Sequence, residues 1–102
     1  MGAYAIPDQY DTAFQVCYGC GAHNATGLQI KSRREDGEVV CEFRPRAEHL
    51  GGPGVVYGGL IASLIDCHGI ATGAAHFQDR DGLDHPPRCV TASLHVEYRK
   101  PT

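Results

Sequence analysis

One stretch limits the fold more than any other: a long apolar segment of helical period, opened by two glycines and holding a single acid. It runs His49-Leu-Gly-Gly-Pro-Gly-Val-Val-Tyr57-Gly58-Gly59-Leu-Ile-Ala-Ser-Leu-Ile-Asp66-Cys-His-Gly69. Leu60, Ile61, Leu64, Ile65 and Cys67 fall on one face at a 3.6-residue period, which predicts a helix from Val56 or Gly58 to about Ala75. Asp66 falls beside that face, with the small residues Ala62, Ser63, Gly69 and Gly73 near it at helical spacing. Such a strip admits a ligand, or a second copy of the helix, close to the backbone. An unpartnered carboxylate is costly to desolvate, and neither Lys nor Arg occurs between Leu50 and Gln78 to neutralise this one. The helix start at Gly58-Gly59 supplies unpaired N–H groups and the positive end of the dipole. Donors at one end and an acid two turns on point to a site that polarises a carbonyl and attacks it. The structural alternative for Asp66 is an acid capped by a loop N–H or by Ser63.

The rest of the chain arranges itself around this helix. Residues 1–102 read as one small domain, with residues 1–16 an arm or short helix anchored by Tyr10 and Phe14. Residues 17–27 read as turns. Leu28 and Ile30 alternate with Lys31 and Arg33, and Asp36-Gly37 signals a hairpin to a second strand, where Val39, Cys41 and Phe43 share a face before Pro45. Residues 46–57 read as a Gly-rich loop and residues 76–87 as a polar one. From Arg88 to Arg99 the chain alternates cleanly, Val90, Ala92, Leu94, Val96 and Tyr98 against Thr91, Ser93, His95 and Glu97, and predicts a half-buried strand. Hairpin, helix, strand is the order of an α+β layer structure with one central helix.

Composition closes off several functions. A formal net charge of −3 gives no electrostatic case for nucleic acid or an anionic membrane. Asp66, His68 and several glycines break the longest apolar run, so nothing in it spans a bilayer. The first eight residues lack a basic and an apolar region, and Ile6 stands where a myristoylation signal has Ser or Thr, so a cytoplasmic protein is expected. Five cysteines, an odd number, argue against a secreted disulfide framework. Cys17-x-x-Cys20 has no second pair to complete a zinc set, since Cys41, Cys67 and Cys89 lie singly; it reads as small thiols in a tight turn, with no metal and no cofactor expected.

Two blocks together, His49-x-Gly-x-Pro-Gly-x-Val-x-Gly58-Gly59 continuing to Asp66, and Val90-Thr91-Ala92-x-Leu94-x-Val96-x-Tyr98-Arg99-Lys100-Pro101, resemble the hotdog-fold acyl-CoA thioesterases, with the phenylacetate-pathway branch nearest. The upstream Cys17-x-x-Cys20-Gly21-x-x-Asn24-x-x-Gly27-Leu28 is similar to the start of that branch. The resemblance implies a curved antiparallel sheet wrapped around one long helix, a homodimer or homotetramer with sites at the subunit interface, and hydrolysis of an acyl-CoA thioester. It implies Asp66 as catalytic base or nucleophile, the Gly58 N–H as the donor to the carbonyl, Thr91 as the hydroxyl orienting water, and His49 as the loop residue bordering the acyl pocket. Gly59, Tyr57, Ser63, Arg99 and Lys100 are the expected substrate-binding residues. Tyr57 departs from the family, where His often stands. The family continues for two further strands, so the resemblance also implies a fragment, a truncated form or a variant completed by a partner. The alternative function is a non-catalytic module of the same fold that binds acyl-CoA or serves as an interaction subunit. A hotdog dehydratase is a distant third, because its histidine is expected early in the helix, where Gly58-Gly59-Leu60 stands.

Overall fold

A computed structural model describes residues 5–102, so the first four residues of the expected arm lie outside it. The architecture is α+β: one long helix, α1 (Gly58–Asp81), and two small antiparallel sheets, β1 (Arg33–Glu35) with β2 (Glu38–Val40), and β3 (Leu50–Gly52) with β4 (Val55–Val56). Among the described residues, no helix is long and apolar enough to cross a membrane.

The first hairpin forms at the expected dipeptide. Asp36 (φ 49°) and Gly37 (φ 81°) both take left-handed backbone, the requirement of a two-residue turn matched to strand twist, and Glu35 faces Glu38 across it. The strands are shorter than the alternation suggested. Gln29 is left-handed (φ 56°), and its amide donates to the Gly21 and Asn24 carbonyls at 2.8 Å each, which breaks the extended run before Arg33. Leu28 and Ile30 are nevertheless buried, bonded through their own N–H groups to the Tyr18 and Gly19 carbonyls.

The Gly-rich loop holds an unforeseen hairpin, β3–β4, which turns at Gly54 (φ 75°). The helix overruns its expected end near Ala75 by six residues. No breaker intervenes before Gly82, whose left-handed backbone closes the C-terminus with its N–H on the Gln78 carbonyl. Arg34 of β1 also grips this end, donating to the Ala75 carbonyl, to Gln78 and through both guanidinium nitrogens to Asp79.

Two apolar clusters lie along α1. Leu60 packs with Leu28 and Ile30, joined by Cys41, Phe43, Val56, Leu64 and Cys67. A turn or more further on, Ala71 and Ala75 pack with Ile6, joined by Tyr10 and Val39. Tyr10 packs on the second cluster, while Phe14 lines a cavity; both lie in an arm built of two 3-10 turns, Pro7–Gln9 and Thr12–Phe14.

The expected strand at 88–99 is not formed. That segment joins no ladder and runs back along α1, from Asp66, where Thr91 meets it, to Gly58, where Tyr98 does. The physical reason is the neighbour: a helix satisfies its own backbone groups and offers no edge to pair with. Val90, Leu94 and Tyr98 therefore stand 71%, 47% and 55% exposed. The pieces of sheet likewise do not join into one curved layer around the helix.

Candidate functional site

Asp66 lies in the middle of α1, half-buried, and its Oδ1 accepts a hydrogen bond from the Thr91 hydroxyl. The structural alternative of a Ser63 cap is removed, because Ser63 Oγ donates instead to the Gly59 carbonyl one turn back, at 2.8 Å. No Lys, Arg or His forms an ion pair with Asp66 among the described residues. Arg88 lines the same cavity, but its guanidinium lies over the Phe14 ring, 3.9 Å from the centroid.

Asp66 and Thr91 together border two cavities. One, of about 260 Å³, is walled by Tyr10, Phe14, Ile70 and Val90 and by four thiols, Cys17, Cys20, Cys67 and Cys89. The other, of about 390 Å³, runs along the open strip of the helix past Ile65 and Gly69 to Leu94. At Gly69 and Gly73 a side chain would meet nothing within 4 Å among the described residues, so these leave the small-residue strip uncovered there. Burial comes first among the causes that push the Tyr10 phenol well above its ordinary range. A larger cleft, of about 540 Å³, opens between the first hairpin and the last turns of α1, far from Asp66.

The second group of expected residues gathers at the helix start. Tyr57 is the N-cap and makes no side-chain cap bond, and among the described residues neither the Gly58 nor the Gly59 N–H finds an acceptor. The Tyr57 ring overlies Gly59 closely enough that a side chain there would collide with it. Tyr98 lies over Gly58, its hydroxyl donating to the Gly58 carbonyl at 2.6 Å. Arg99 and Lys100 follow, and with Gly58, Ile61 and Val56 they line a cleft of about 330 Å³.

These groups do not meet within one chain. Asp66 lies eight positions after Gly58, about 12 Å along a helix rising 1.5 Å per residue. A carbonyl under attack must lie about 3 Å from both its nucleophile and its oxyanion donor. The expected donors and acid therefore do not frame one carbonyl within a single chain; they form two separate groups.

His49 belongs to neither. It is buried, 8% exposed, in a 3-10 turn (Ala47–His49), where Nδ1 accepts the Arg46 backbone N–H at 2.9 Å and the ring tilts against Phe43. Its carbonyl accepts the Tyr57 N–H at 2.8 Å, so it sets the entry to the helix from within the loop.

The sequence carried no sign that the thiols converge, since they sit on a turn, a helix and the C-terminal segment. No group of three or more His, Cys, Asp or Glu among the described residues has metal-holding geometry. Comparison with protein-family models, characterised proteins and solved structures finds nothing that matches this chain.

Proposed function

We propose that the chain is a hotdog-type acyl-CoA thioesterase of the cytoplasm that works as a homodimer or larger homo-oligomer, each site joining Asp66 of one copy to the Gly58 N–H of another. The observation that carries this reading is the Thr91–Asp66 hydrogen bond at the mouth of an apolar, thiol-walled cavity, with no cation among the described residues clasping the carboxylate. Asp66 takes a proton from water, or attacks directly, while Thr91 fixes the carboxylate's orientation. As the carbonyl carbon becomes tetrahedral, the charge on its oxygen falls to the free N–H at the helix start, and the C–S bond breaks with coenzyme A leaving as thiolate. Arg99 and Lys100 stand beside that helix start, where they suit the phosphates of the leaving group.

Thiol release from aryl- and medium-chain acyl-CoAs tests the reading, with wild type beside Asp66→Ala; equal rates sink it. Gly58→Pro is a sharper probe. Tyr57, at φ −58° and ψ 128°, already has the backbone that precedes proline, and proline at the first helical position removes the N–H while its Cβ meets the Tyr98 ring at an ordinary contact of 3.4 Å. The rate should fall about 10²- to 10³-fold with the helix retained. Mixing the two variants should restore part of the rate, because a mixed pair assembles one intact site; no recovery refutes the two-copy arrangement. The second reading, a module that binds acyl-CoA without cleaving it, draws on Tyr98, whose ring covers Gly58. Binding without turnover in wild type and Asp66→Ala alike would select it.

A further inference from the structure

Outside the carboxylate and the helix start, the densest chemistry in the molecule is sulfur. All five cysteines are free and half-buried, and four line the cavity that Asp66 borders. The turn carrying Cys17 and Cys20 lies directly on the helix at Cys67: a side chain at Gly19 would overlap Cys67 Sγ and stand 3.8 Å from Cys17 Sγ. Glycine at position 19 thus brings the turn's backbone onto the thiol of Cys67, with a cysteine on either side of the contact. The backbone bonds from the Ile30 N–H to the Gly19 carbonyl and from the Gly21 N–H to the Cys17 carbonyl hold the turn in that place.

We propose that Cys20 and Cys67 are a reversible redox pair that closes into a disulfide across the turn–helix contact, in the wall of the Asp66 cavity. Both thiols line that wall, and the interaction between them divides their roles. It is the chief cause that holds Cys20 protonated far above the ordinary thiol range, with burial second, and the chief cause that lowers Cys67. Cys67 is thereby the attacking thiolate and Cys20 the resolving thiol. With a low-molecular-weight disulfide as oxidant, the Cys67 thiolate attacks one of its sulfurs, forming a mixed disulfide and releasing one small thiolate. Cys20 then gives up its proton and attacks the Cys67 sulfur, forming the Cys20–Cys67 bond and releasing the second. Two electrons pass from the cysteines to the small disulfide, and two small thiols leave. Cys17, beside the Gly19 contact, is the near neighbour that competes for the same partner, and Cys89 lines the same cavity.

The test uses the whole chain in glutathione buffers of increasing oxidised fraction, with free thiols alkylated and the linked peptides mapped by mass spectrometry. The expected product joins the Cys20 and Cys67 peptides, vanishes on reduction and in Cys20→Ser or Cys67→Ser, and survives in Cys17→Ser and Cys89→Ser. A Cys17–Cys20 link, glutathione adducts alone, or thiols that stay free across the series would each overturn the proposal. Mapping of the wild-type chain decides the matter even if a serine variant fails to fold. The readout is a covalent link, so it stands or falls apart from any thioester turnover.

Discussion

Residues 17–31 and residues 88–102 both lie against α1, and neither contains a helix or a strand. The first has hardly any periodic pattern, yet it is tied down at nearly every step. The N–H groups of Gly21, His23, Asn24, Gly27, Leu28 and Ile30 all find carbonyls, and the buried Gln15 side chain bonds Pro7, Tyr10 and Ala22 from below. The second has the cleanest alternation in the chain and is largely exposed, touching the helix through the Thr91 and Tyr98 hydroxyls. Pattern describes which face wants burial; order comes from backbone groups that find partners.

Hydrogen exchange should show the widest gap between the two. The Leu28 and Ile30 amides should exchange slowly at every protein concentration, and those of residues 90–97 fast when dilute and more slowly as copies associate. Fast exchange in both segments would erase the contrast. Gln15→Ala attacks the ordered side, stranding the Ala22 N–H and the Tyr10 carbonyl; a loss of about 1–3 kcal/mol is expected, seen as a melting point lowered by roughly 4–8 °C per kcal/mol in a domain of this size. Thr91→Val attacks the exposed side where it meets Asp66. It should cost about tenfold in thiol release, the low end for a hydrogen bond to a charged group, and leave the melting point unmoved. Val90→Ser with Leu94→Ser should change monomer stability by less than about 0.5 kcal/mol while weakening self-association in sedimentation.

Acid should have the smallest effect. Hydrogen bonds from Arg46 and Arg80 hold Glu48 and Asp81 below the ordinary carboxylate range. Their contribution is present above that range and is lost as pH falls through the lowered values. Both pairs are solvent-exposed and weakened by screening, so melting curves in acid should shift less than for any substitution that destabilises the fold.

Much of this was legible in the residues. The helix start at Gly58, the Asp36-Gly37 turn, the burial of Leu28 and Ile30, and Val39, Cys41 and Phe43 as core contacts all follow from local chemistry. The helix end was missed because the clamp that extends it, Arg34 on Asp79, spans 45 positions and leaves no local trace. The strand at 88–99 was misread because alternation specifies a face and says nothing of whether an edge is there to pair with. Thr91 was expected, through family resemblance alone, to orient water, and the residues themselves set it opposite the apolar face; its bond to Asp66 within one chain was not foreseen. His49 was expected at a pocket and is found locked within its own turn.

The regularity of α1 turns it into a ruler with an angular scale. One residue inserted between Gly58 and Asp66 would push the acid only about 1.5 Å but swing it roughly 100° around the axis, out of reach of the threonine that meets it. Length changes in the hairpins leave that graduation untouched, so evolution can redraw everything around the rod more freely than the seven residues between its two marks.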